Sequence, residues 1–485
     1  MNKKRIIIII LVILILFGIY MLYNTFAVST IASNDSNNIY DIVIGEGTTI
    51  TVPKGSSKTV YFHLKNTNNG NVKYAVGYNA STNIEVKVYE DSKDKVSDII
   101  GYTENKYIKL YLKNPTNNSN AVTITSVLGY ENGGDLIVPD GITLITEVYT
   151  PPVQKTTLAE YITNLYTNAS KSPVENNSIT YNYAPSESLM NDRLGGTTTS
   201  LDSGNIRYYG TEPNNYIYFN CSDYNNQISD TCELWRIIGV FDGRVKIMRN
   251  KSIGTYSWDK SDSDINSGFG INEWSQADLM KLLNPGYESE TAGGSLYYNS
   301  VSGTCYSSKS NKPVPCDFTT TGIKNDTTKS KIEIATWNLG GYNNRQIYSN
   351  EIYQYERKTN VVTNPSDTLA RTTSWPGKVA LPYPSDYGYA ADFNSCNSSL
   401  DNYGINACPS ANWMNDILST SNQGWLLTPY SDSANFVWEV NITGDITYYY
   451  AHSAYNIVPT LFLNSTETIV EGTTGSKDNP YKLNP

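Results

Sequence analysis

The sequence of 485 residues predicts a multidomain exported chain: an N-terminal membrane helix, an all-β sandwich, then a larger α+β domain closed by three local disulfides. Three observations carry this expectation. An unbroken apolar run opens the chain, and period-two patterning without cysteine fills residues 38–149. All six cysteines follow in three close pairs.

Lys3, Lys4 and Arg5 precede the apolar run Ile6–Tyr23, which is 18 residues long. A spanning helix needs about 17–25 apolar residues, whereas the core of a cleaved signal has about 7–15. Residues 1–33 therefore read as a signal sequence or anchor, and the run length favours an uncleaved single pass. The basic residues would stay on the cytoplasmic side and the C-terminus would lie at the cell surface. Cleavage near Ala27 or Ala32 is the alternative and would leave a secreted chain. No cysteine follows the run, so a bacterial lipid anchor is excluded.

Residues 38–149 read as short strands. In Lys58–Lys65, Val60, Phe62 and Leu64 share one face, while Thr59, Tyr61 and His63 share the other. His63 is thus expected on an outer face, without a chemical role. Similar runs recur at 72–78, 84–89, 107–112 and 122–128, separated by turn signals such as Pro53-Lys54-Gly55. About seven strands at this spacing suggest an immunoglobulin-like sandwich acting as a spacer.

Residues 150–206 open with Pro151-Pro152, hold one helical pattern at Thr157–Ala169, and are otherwise polar and rich in Gly, Ser and Thr. They read as a linker with a short helix. The head, 207–472, opens with Glu233–Phe241, Asp242-Gly243 and Arg244–Arg249; two apolar strands around Asp-Gly are a strong hairpin signal. A helix capped by Ser275 is expected to follow and to stop at Asn284-Pro285-Gly286. A second helix is expected near Ile347–Arg357, and strands close the domain. Residues 473–485 form a polar tail.

Cys221/Cys232, Cys305/Cys316 and Cys396/Cys408 are separated by 11, 11 and 12 residues. Such even, local spacing reads as three disulfides formed in an oxidising compartment, with nearest-neighbour pairing inferred from the spacing. Zinc is the weaker alternative, because it uses closer pairs or added histidines, and only His63 and His452 exist. The net charge of −10 opposes phosphate backbones and argues against nucleic acid as a partner. Tyrosine is abundant, 40 residues against 10 phenylalanines. Either a contact surface or an AT-rich genome accounts for that excess.

Glu233–Val240, Tyr383–Ala390, Trp425–Pro429, Trp438 and Tyr455–Leu463 together resemble motifs of a large group of uncharacterised exported bacterial surface proteins. The resemblance covers about residues 207–465. It implies a C-type-lectin-like fold for the head, similar to the formylglycine-generating enzymes. The group usually reads Gly-Val-Arg-Pro before the last strand, and Asn456-Ile457-Val458-Pro459 lacks that arginine. The formylglycine-generating enzymes use cysteines near their closing strands; residues 425–470 have none, which argues against that activity.

Several residues invite a site. Trp413, Tyr430, Tyr448, Tyr449 and Tyr450 could form an aromatic platform for a glycan or a peptide. The structural alternative makes Trp425 and Trp438 core residues. Asp259, Asp262 and Asp264 put three carboxylates on one loop, the kind of hard oxygen set that suits Ca²⁺, although their spacing is not that of an EF-hand. A solvated acidic loop is the plainer reading. Asp432 with Asn435 is a second calcium candidate. Glu212-Pro213-Asn214 matches a lectin tripeptide, but Pro-Asn is also an ordinary turn. His452 has no nucleophile motif beside it, so no catalytic residue is assigned.

The sequence thus points to a non-enzymatic surface binding or adhesion protein. The membrane partner would be reached through the N-terminal helix, and the ligand would be a glycan or a protein. The alternatives are an exported glycan hydrolase using a carboxylate pair and a structural envelope protein.

Overall fold

A computed structural model describes residues 39–485 apart from 44–46, 68, 81–82, 117–119, 132–135, 137, 139, 151–154, 264–267, 310, 359–370 and 406. The chain divides into two compact units, Met1–Gln154 and Lys155–Pro485.

The first unit is all β. One sheet runs Ile39–Val43, Ser57–Lys65, Asn105–Lys113, Glu85–Tyr89, Val148–Tyr149. The other runs Gly47–Val52, Asn120–Glu131, Val72–Ala80, Ser97–Ile100, with Thr143–Leu144 also on Val72–Ala80. The alternation at Lys58–Lys65 positions Val60, Phe62 and Leu64 inward, where they meet Leu110, Ile108, Val52 and Tyr74 in one core. His63 takes the outer face, with its Nδ1 2.9 Å from Asp41 and its ring stacked on Tyr107.

The second unit is built on a nine-stranded antiparallel sheet. Its order is Ser172–Asn176, Ile179–Ala184, Leu189–Asn191, Ile206–Tyr208, Glu233–Phe241, Arg244–Arg249, Thr460–Phe462, Val379–Ala380, with Tyr216–Phe219 also on Glu233–Phe241. Asp242 and Gly243 both take positive φ (49° and 74°), the backbone that matches strand twist in a two-residue hairpin. The closing strand lies beside that hairpin through Lys246↔Phe462 and Met248↔Thr460. A second sheet runs Thr255–Ser257, Ala454–Asn456, Gly424–Pro429, Phe436–Val440, Ile446–Tyr450. Trp235, Trp258, Trp274, Trp337, Trp425 and Trp438 are all fully buried in the shared core.

This architecture corrects the α+β, C-type-lectin-like expectation. The described residues are mostly β-sheet, with eight α-helices of which the longest, Leu158–Asn168, has 11 residues. No helix among them is long and apolar enough to cross a membrane, and the run Ile6–Tyr23 lies outside the described residues. Helices stop early for visible reasons. Asp278–Leu283 ends at Asn284-Pro285-Gly286, and its cap position is Ala277, because Trp274 buries itself in a preceding 3₁₀ turn. The Ser275 hydroxyl donates instead to Glu273 (2.6 Å).

The region read as a linker is also corrected. From Lys155 onward it belongs to the second unit, where it supplies a helix capped by Thr157, three strands of the main sheet and the first residue of a fourth, Ile206–Tyr208. Its first hairpin turns at Asn177-Ser178, both in the left-handed region (φ 46° and 60°). The tail is no free end either: Tyr481 bridges Ile217, and Leu483 bridges Ile469. The three disulfides join Cys221–Cys232, Cys305–Cys316 and Cys396–Cys408.

Candidate binding surface

The strands Phe436–Val440 and Ile446–Tyr450 form a hairpin at the edge of the second sheet. Their pleat sends alternate side chains to opposite faces, with Phe436 opposite Tyr450 and Trp438 opposite Tyr448. Trp438 is fully buried, and its indole N–H donates to the Tyr342 carbonyl (3.2 Å), which fixes the inner end of the row. Beyond it, Tyr430, Tyr448, Phe436, Tyr450 and Phe269 are half-buried and pack in succession. Ring centroids lie 4.0 Å apart for Tyr430–Tyr448, 5.0 Å for Phe436–Tyr448, 4.5 Å for Phe436–Tyr450 and 4.1 Å for Phe269–Tyr450.

The Arg345 guanidinium sits 4.6 Å above the Tyr448 ring. Its hydrogen bond holds the Tyr448 phenol below the ordinary tyrosine value. Burial, followed by the hydrogen bond to Tyr448, pushes Tyr430 up to about 12. The row therefore combines apolar ring area with a cation and phenolic hydroxyls at one end. It can take an extended ligand that offers flat apolar faces and hydrogen-bonding groups.

The structure sorts the residues named from sequence. Tyr430, Tyr448 and Tyr450 are brought together. Tyr449 points to the opposite face of the same strand, 5.7 Å from Tyr455, and is 39% exposed. Trp413 is a correction: it is buried, donates its indole N–H to the Tyr208 carbonyl (3.1 Å) and lies under Arg236 (4.8 Å). Sequence reasoning missed Phe269, Phe436 and Arg345. Phe436 was detectable, since it stands two residues before Trp438 in a strand. Phe269 and Arg345 arrive from distant loops and left no local signal.

Of the acidic loop's three carboxylates, Asp259 and Asp262 are among the described residues. Asp259 is buried, and its two oxygens accept the backbone N–H groups of Asp278 (3.2 Å) and Ile271 (2.8 Å). Burial and the nearby Asp278 charge push it up to about 8. Asp262 is exposed, 4.0 Å from the Lys260 ammonium, and Asp264 lies outside the described residues. Among the described residues no group of three or more His, Cys, Asp or Glu could hold a metal ion. Asp432 is exposed, and the Asn435 amide oxygen accepts from the Ser433 hydroxyl (2.7 Å). Glu212 accepts the Tyr216 phenol, so the Glu-Pro-Asn tripeptide is a turn with its own internal partner. His452 is buried, with Nδ1 3.3 Å from the Gly268 carbonyl, and burial lowers its pKa.

A separate open cleft of ≈ 650 Å³ lies between the Leu158–Asn168 helix and the Asp242-Gly243 turn, lined in part by Tyr166, Lys171, Asn191, Asp202 and Asp242. Burial would raise the Asp202 carboxyl, but hydrogen bonds from Tyr166 and Asn182 and the Lys171 charge outweigh it and hold the group low. That is the opposite of what a general acid at a glycosidic bond requires. Neither protein-family models nor curated proteins match the chain.

Proposed function

We propose that the chain is an exported, non-enzymatic binding or adhesion protein that works at the cell surface, or in the medium if its N-terminal segment is cleaved. Its ligand is a glycan or a protein, taken on the row formed by Tyr430, Tyr448, Phe436, Tyr450 and Phe269. The observation that carries this reading is the row itself: five half-buried rings on one sheet face, with Arg345 at one end. Large aromatic and arginine side chains dominate binding energy elsewhere because they cover area at low entropic cost. The three disulfides support an oxidising, extracellular setting.

The test is a screen of the oxidised chain against a glycan array and cell-wall fractions, repeated with Phe436→Ala and Tyr448→Ala. Loss of one anchoring ring should weaken a true ligand by roughly 30-fold, the equivalent of about 2 kcal/mol. Binding that survives both substitutions unchanged rules out this surface. Turnover of a polysaccharide, abolished by Asp202→Asn, would instead establish the hydrolase alternative.

A further inference from the structure

Beneath the main sheet lies a group of charged side chains that the binding row does not use. Lys246 projects from Arg244–Arg249, Arg207 from Ile206–Tyr208, and Asp386 from the helix Pro384–Tyr389. Lys246, Arg207, Asp386 and Asp192 each have side chains no more than 1% exposed. The Lys246 ammonium contacts Asp386 Oδ2. Asp386 Oδ1 accepts from Arg207 Nη1 (2.8 Å), and Oδ2 also accepts the Tyr383 backbone N–H (3.0 Å). Arg207 Nε donates to Asp192 (2.7 Å). Aromatic rings close round the ammonium: Tyr383 at 4.3 Å, Trp337 at 5.1 Å, Phe241 at 5.6 Å and Phe462 at 5.7 Å.

We propose that Lys246 and Asp386 condense into an intramolecular amide cross-link between the central sheet and the Pro384–Tyr389 helix. One ammonium proton passes to the carboxylate, and the resulting amine Nζ attacks Cγ. The Nζ–Cγ bond forms, the Cγ–Oδ2 bond breaks, and Oδ2 leaves as water with the two protons lost from nitrogen. Atoms and charge balance, since one cation and one anion become a neutral amide and a water molecule, with no oxidant or second reactant.

The surroundings favour each part of that step. Burial drives the Lys246 ammonium down to about 8, so the amine form is closer to hand than on an ordinary lysine. The neighbouring cations, Lys246 itself and Arg207, keep Asp386 low despite its burial, so the ion pair is the resting state and the neutral pair a minor one. A reaction needed once per molecule requires only that minor form. Arg207 stays on Oδ1, the oxygen retained as the amide carbonyl, where it can stabilise the developing oxyanion. The Tyr383 N–H sits on Oδ2, the oxygen that departs. A small cavity of ≈ 160 Å³, lined by Lys246, Tyr383, Asn338 and Arg357 among others, adjoins the pair and can receive the released water.

The charge balance after reaction is also sound. Loss of the Lys246 and Asp386 charges leaves Arg207 with Asp192, and Arg357 with Glu356 (3.0 Å), as matched pairs. Condensation removes two charges from a dry interior, where holding them apart from water is costly. It would also link residues 140 apart in sequence, whereas the disulfides span 11 or 12.

The experiment is mass spectrometry of the reduced, alkylated full chain, intact and after digestion. A branched peptide joining the Lys246 and Asp386 segments, lighter than their sum by one water, is expected. Lys246→Arg should restore the full mass, and Asp386→Asn should re-form the link with loss of one ammonia in place of water. Recovery of both segments from the wild-type chain as separate linear peptides, with cleavage after Lys246, overturns the proposal. That readout on the wild-type chain does not depend on any variant folding.

Discussion

Glu439 offers a stability test whose size follows from the structure. It lies in the strand Phe436–Val440, on the face away from Trp438, and is 2% exposed. Oε1 accepts from the Thr447 hydroxyl (2.7 Å), while Oε2 finds no hydrogen-bond partner among the described residues. Burial pushes the carboxyl up to about 7, from an ordinary 4.5. Below pH 4.5 both folded and unfolded chains are protonated there, and no penalty exists. Between 4.5 and 7 the unfolded state ionises first, so stability falls as pH rises, and above 7 the full penalty applies. The gap of about 2.5 units corresponds to about 3 kcal/mol. Glu439→Gln removes the titration, so its stability relative to wild type should improve by about 3 kcal/mol between pH 4 and pH 8. Asp259 titrates with the same sign, which is why the difference between variant and wild type is the quantity to follow. All 8 tryptophans lie in the second unit, so urea unfolding followed by tryptophan fluorescence reads that unit alone. A difference that stays flat across this pH range would refute the reasoning.

Two further outcomes are expected of the same unit. Replacing Cys396 and Cys408 together by serine opens a loop of separation 12 and should cost about 3 kcal/mol, read as a lower urea midpoint. Gly239→Ala should cost about 1–3 kcal/mol or more by thermal melt, because a Cβ there would stand 2.2 Å from the Ile206 carbonyl oxygen beside the bulge at Ile237/Gly239. A Gly239→Ala chain that melts with the wild type would show that the strand can shift to make room.

What the sequence revealed depended on how local the cause was. Cysteines 11 or 12 residues apart announced their own partners, and Asp242-Gly243 announced its hairpin, because each is decided within a dozen residues. The strands Leu189–Asn191 and Ile206–Tyr208 are three residues each, too short to show a period, so a polar stretch hid part of the main sheet. The aromatic row was half visible. Tyr448 and Tyr450 sat in plain view, but which of three consecutive tyrosines faced which way depended on a register set by Phe436–Val440. Trp413 was misread because an indole looks the same in a core and on a surface. Arg207, Lys246 and Asp386 left no signal, since their partners lie 140 and 179 residues away.

The tyrosine excess shows why counting side chains could not separate surface from core. Many phenols here stand where phenylalanine would fit by volume, and several of them use the hydroxyl to hold the backbone. Tyr387 donates to the Gly444 carbonyl (2.7 Å), Tyr403 to Gly388 (3.0 Å) and Tyr383 to Asn338 (3.0 Å). Gly444 lies in the turn between Phe436–Val440 and Ile446–Tyr450, Gly388 in the helix Pro384–Tyr389 and Asn338 at the end of the strand Ala335–Asn338; leaving a buried carbonyl unpaired costs about 1–3 kcal/mol. Tyrosine in the core thus completes the hydrogen bonding of a fold built from short strands and many loops. Tyr430 and Tyr448 differ in kind. Their rings are half-exposed and their hydroxyls meet each other and Arg345, with no backbone carbonyl as partner among the described residues. Side chains that the fold does not need for its own hydrogen bonds are the ones free to serve a ligand, and that contrast picks out the edge hairpin.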